Sequence, residues 1–155
     1  MTTDKMKGID MKTVSSVIFS VLFVLLLFTP VYGSSDWVEY GKSKNGNVFS
    51  YNKVNIKLTK NRVQVWIRTV FSDEGREKQI QPLRTGGLPT EEWEKLSHTL
   101  VSDEISCKER KHWISSITYY NTDGRVFFSH SYDKSNWDYI IPGSMVDILR
   151  NNVCK

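Results

Sequence analysis

"RVQVWIRTVFS", Arg62 to Ser72, alternates in steps of two. Val63, Val65 and Ile67 fall on one side and Gln64, Trp66 and Arg68 on the other, the period of a β-strand with one face in a core and one toward water. The flanking segments extend this pattern into a sheet. "DWVEYGKSKNGNVFSYNKV", residues 36–54, reads as two short strands around Lys44-Asn45-Gly46, because Asn-Gly tolerates the positive φ angles of a tight hairpin. Downstream, Glu104 to Tyr120 reads as strand, "NTDGR" as a turn and "VFFSHSY" as the returning strand of a second hairpin.

Between these runs, Asp73 to Gly87, with "REKQIQPLRTGG", reads as a long polar connection. "LPTEEWEKLSHTL", residues 88–100, carries helix-start signals: Thr90 as N-cap, Glu91 and Glu92 in the first turn, and Trp93, Leu96 and Leu100 on one stripe. "PGSMVDILRNNVC", residues 142–154, predicts a C-terminal helix. Ser144 caps it, Asp147 completes a capping-box variant, and Met145, Ile148, Leu149 and Val153 line one side. The expected fold is α+β: a single antiparallel sheet of about five or six strands, a short internal helix, and a C-terminal helix packed on one face.

The N-terminus is a different kind of segment. Lys5, Lys7 and Lys12 precede a charge-free run densest from Val17 to Phe28, Pro30 breaks it, and Val31 and Gly33 suit a signal peptidase. Residues 1–33 are expected to be a cleaved signal peptide, with Met6 and Met11 as other plausible starts. An uncleaved anchor over Val14 to Tyr32 is the alternative, near the ~20 residues that span a bilayer. That segment is the expected point of membrane contact. Cleavage removes Lys5, Lys7, Lys12, Asp4 and Asp10, so the formal charge falls from +4 to +3 for residues 34–155. The remaining chain, about 120 residues, is one domain in which a covalent staple would matter.

An exported chain with only two cysteines predicts a Cys107–Cys154 disulfide, closing a loop of about 47 residues and pinning the C-terminal helix to the sheet. The competing reading is a nucleophilic cysteine with His112 or His130 as base. No G-x-S-x-G, phosphate loop or H-E-x-x-H occurs, and His98, His112 and His130 are too far apart for a helical metal pair. The carboxylate pairs Asp73/Glu74, Glu91/Glu92 and Asp103/Glu104 sit beside loop or helix-start signals. Neither catalytic residues, a cofactor nor a metal are therefore expected.

Trp37, "VQVWIR", "ISCKER", "YYNTDGRVFFS", Trp137, "IPGS" and Cys154, in this order, resemble the bacterial surface-adhesin protein E family over nearly the whole mature chain. The resemblance implies a small, exported, non-enzymatic domain, an antiparallel sheet with a C-terminal helix, and a partner among host matrix proteins. The chain departs from the family pattern in lacking a lipid-acceptor cysteine near the cut.

One cluster points to a binding surface. In "CKERKHW", Lys108, Arg110, Lys111, His112 and Trp113 form a basic-aromatic group suited to an acidic glycan, an anionic lipid headgroup or an acidic strip on a host matrix or envelope protein. Alternation would put Lys108 and Arg110 opposite Glu109 and Lys111. Trp66 and Arg68 are a second candidate. Nucleic acid is not expected, since the basic field is weak and export removes that partner. The sequence thus points to an exported interaction module, adhesin-like, at the cell surface or in the periplasm, and able to dimerise through a sheet edge. A periplasmic structural or small-ligand protein is the alternative.

Overall fold

The computed structural model describes residues 36–154; the expected signal peptide and its cleavage point lie outside them. Eight strands form one antiparallel sheet: β1 (Trp37–Lys42), β2 (Val48–Asn52), β3 (Lys57–Thr59), β4 (Arg62–Val70), β5 (Leu96–Ser106), β6 (Lys111–Asn121), β7 (Val126–Ser131) and β8 (Asp138–Tyr139). Their order is β1-β2-β4-β5-β6-β7, with β3 beside β4 and β8 beside β6. The count exceeds the five or six expected because β3 and β8 are too short, at 3 and 2 residues, to leave a periodic signal. Two helices complete the α+β fold, α1 (Asp73–Thr85) and α2 (Met145–Val153).

β4 is the strand its alternation predicts. Val63, Val65 and Ile67 are buried, and across the ladder Ile105 and Val101 continue the same face. α2 covers that face with Leu149 and Val153, and Ile140 joins them in the core. Ser144 caps α2 by accepting from the Asp147 N–H at 3.2 Å. The stripe is rotated slightly from the expected one: Ile148 stays 37% exposed while Val146 packs on the core.

Three expectations about the middle of the chain are corrected. Asp73 to Gly87 is not a connection but largely helix α1, started by Ser72, whose hydroxyl accepts from the Gly75 N–H at 2.9 Å. The expected helix over 88–100 is a single 3-10 turn, Trp93–Lys95, after which the chain enters β5. Leu96 and Leu100 belong to that strand, whose pairing with both β4 and β6 overrides the local helical signals. The extended run from Glu104 to Tyr120 is broken at Cys107–Arg110 by a tight turn, with Arg110 at φ 54. The predicted hairpin turns are present, with Gly46 at φ 82 and Gly124 at φ 75.

Candidate functional site

The Cys107 turn follows β5 directly, so it lies at one end of the sheet beside the last turn of α2. The Cys107 and Cys154 sulfurs are bonded, with Cα atoms 5.6 Å apart across 47 residues. No thiol is left for nucleophilic chemistry at either position. Arg150 fastens the same junction, donating Nε and Nη2 to the Cys107 carbonyl at 3.3 and 3.0 Å.

The turn disperses the basic cluster. Lys108, Glu109 and Arg110 are exposed turn residues, so the strand alternation expected for them does not apply. Arg110 pairs with Asp147 of α2 at 2.8 Å. The Lys111 ammonium lies 4.8 Å from the Tyr139 ring centroid. His112 turns to the core side, where Nδ1 meets Asp103 Oδ2 at 3.1 Å. Trp113 turns the other way and donates Nε1 to Glu104 at 3.2 Å. Four of the five candidates thus have partners within the fold, and Lys108 alone of them projects as a free cation among the described residues.

Asp103 is 1% exposed, and burial pushes its carboxyl up while the His112 hydrogen bond draws it down. His112 is raised above its ordinary value, first by its hydrogen bond to Asp103 and further by the Asp103 and Asp138 charges, against its own burial. Tyr40 is raised by burial and by Asp103. This is a structural dyad under α2. His98 stacks on Tyr120 at 4.6 Å, and His130 meets Tyr132 edge-on at 4.5 Å. Asp73 and Glu74 pair with Arg76 and Lys78 on α1. Asp103 and Glu104 point to opposite faces. Among the described residues no three His, Cys, Asp or Glu side chains converge to hold a metal ion.

The second candidate, Trp66 and Arg68, proves to be the centre of something larger. The face of β4 away from α2 carries Arg62, Gln64, Trp66 and Arg68, opposite Ser106, Glu104, Ser102 and Leu100 of β5. Arg62 reaches Glu104 at 3.2 Å and lies 4.8 Å from the Trp137 ring, and Trp137 lies 6.4 Å from Trp113. Arg68 lies 4.7 Å from the Trp37 ring centroid and holds down the His98 imidazole, whose pKa falls through burial first and Arg68 second. Its Nε is buried and meets no hydrogen-bond partner. Trp37, Trp66, Trp113 and Trp137, which the sequence scatters over a hundred positions, thus come to one half-exposed surface with two guanidinium groups. Only the alternation in β4 signalled it.

Comparison with known proteins agrees with this architecture. No curated protein matches the chain. Among solved structures, crystal form II of Haemophilus influenzae protein E superposes with a TM-score of 0.50 at 10% identity, covering 81% of this chain and 91% of that one. Another structure of Haemophilus influenzae protein E gives 0.47 at 9% identity, with 81% and 88% covered. The sequence profile of surface-adhesin protein E matches residues 37–155, the whole of the sheet and both helices. The chain belongs to the surface-adhesin protein E family.

Proposed function

We propose that this chain is an exported, non-enzymatic interaction module that binds an extracellular or envelope macromolecule through the sheet face away from α2. The observation that carries the reading is the gathering of Trp37, Trp66, Trp113 and Trp137 with Arg62 and Arg68 on that half-exposed face. Tryptophan and arginine are enriched among the residues that carry interface energy. Tryptophan covers much apolar area with few rotatable bonds and keeps an N–H donor, and the arginine fork gives several directed donors. Here the sheet backbone and the stacked arginines hold the indoles in place before a partner arrives, so little ordering entropy remains to be lost. Membership of an adhesin family supports the same class of partner, a host or extracellular molecule. No helix among the described residues is long and apolar enough to cross a membrane.

The test has two arms. On intact cells, external protease should degrade the protein; complete protection would place it inside the envelope and remove the adhesive role. In a binding screen against immobilised matrix and envelope proteins, the parent should capture a partner that Trp66→Ala loses by tenfold or more with its melting temperature nearly unchanged, since Trp66 is 37% exposed. Undiminished binding by Trp66→Ala would move the interface to another face.

A further inference from the structure

The turn that disperses the basic cluster also builds a groove. Leu58, Thr59, Lys60 and Asn61 of the β3–β4 hairpin form one wall, Cys107 and Lys108 the second, and Arg150, Val153 and Cys154 at the end of α2 the third. They enclose about 490 Å³, within the size range of ligand sites. Four cations line the groove, Lys60, Arg62, Lys108 and Arg150, and among the described residues no carboxylate does. Arg62 is neutralised by Glu104. Arg150 is held only by neutral oxygens, the Cys107 carbonyl and Asn151 Oδ1 at 3.2 Å. Lys60 and Lys108 form no ion pair among the described residues. Three unbalanced positive charges, Lys60, Lys108 and Arg150, therefore line one groove and act on an incoming anion together.

We propose that this groove is a second binding site, for a sulfated polysaccharide chain. The arginine forks, which match a planar carboxylate, are already committed inside the fold, and the free cations are lysine ammonium groups. Those are point charges that suit sulfate, whose oxygens accept from any direction. Leu58, 72% exposed, supplies an apolar surface beside the disulfide for the C–H face of a sugar ring. An acidic peptide, held best by free guanidinium forks, fits this lining less well.

The groove shares Arg62 with the edge of the tryptophan face, so its test leaves Arg62 and the tryptophans unchanged. The purified, oxidised protein should be retained on immobilised heparin at low salt, with its affinity falling by tenfold or more between 50 and 200 mM salt. Lys60→Ala with Lys108→Ala should weaken binding by about tenfold, the loss of two exposed charge contacts. Lys44→Ala with Lys95→Ala removes the same charge at the opposite end of the sheet, beside the β1–β2 turn and before β5, and should change affinity by less than twofold. Equal losses in both double variants would show general charge attraction and overturn the site. Binding to desulfated heparin or polyglutamate as tightly as to heparin would overturn the choice of ligand. Undiminished heparin binding by the Lys60→Ala, Lys108→Ala variant, beside Trp66-dependent capture of a matrix protein, would leave the proposed function standing while the groove falls.

Discussion

Gly75 has no room for a side chain. A Cβ there would lie 1.7 Å from Asn47 Oδ1. That oxygen accepts from the Ser72 N–H at 3.1 Å, and Ser72 in turn caps α1, so the glycine, the asparagine and the cap form one joint between the first hairpin and the helix. In an exposed helix, Gly→Ala stabilises by up to ~1 kcal/mol. Here Gly75→Ala should instead destabilise by about 1–3 kcal/mol in chemical denaturation, because buried Asn47 must leave its hydrogen bond. A second residue-scale prediction concerns Asp103 and His112. Burial raises Asp103 and the hydrogen bond raises His112, so both groups hold protons more tightly in the folded state. Their contribution is greatest at low pH and is lost as pH climbs, for His112 from its ordinary 6.5 upward through its raised value. His98 is shifted down and acts with the opposite sign. Melting temperature should therefore be compared between the parent and His112→Gln from pH 5 to 9. The parent's advantage should shrink steadily above pH 6.5.

At the scale of elements, the best-read parts of the chain are those whose local chemistry and tertiary role agree. α2 has a Ser144 cap, an acidic first turn and an apolar stripe, and the stripe is what packs on the sheet. β4 alternates because its two faces meet different surroundings. α1 gives a weak sequence signal because Gly75 and Pro82 lie inside it and Ile80 is its only buried apolar side chain, although Ser72, Asp73 and Glu74 are good start signals. β5 was hidden for the reverse reason. Its first residues carry helix signals, and only partners on both sides, far off in sequence, make it a strand. The disulfide ties the most legible helix to the sheet and closes a 47-residue loop. Cys154→Ser should cost about 2–5 kcal/mol. Amide exchange in Met145–Val153 should then accelerate well before that of β4 and β5, as expected for an element that has lost its tether.

At the scale of the molecule, the candidate surfaces were legible only as residue types. Nothing in the spacing of Trp37, Trp66, Trp113 and Trp137 tells that three strands and the segment before β8 bring them together, and the basic run reads as one patch although the Cys107–Arg110 turn sends its side chains in different directions. What the sheet order adds is its two edges. β1 is guarded: it is interrupted by an irregularity between Glu39 and Gly41 and carries Glu39 and Lys42, paired at 3.7 Å. β7 is not. It runs "VFFSHS" with no Lys, Arg, Asp or Glu, and Val126 and Phe128 are 52% and 46% exposed beside Tyr132. An uncharged, apolar terminal strand is a template for pairing with a second copy, and the dimer expected from edge pairing should form there. Sedimentation equilibrium should show reversible self-association of the parent as concentration rises. Val126→Lys with His130→Lys puts a charge at each end of the strand, and the repulsion between copies should leave a monomer. Trp66-dependent capture of a partner should persist in that monomer, because the tryptophan face and the β7 edge use different residues.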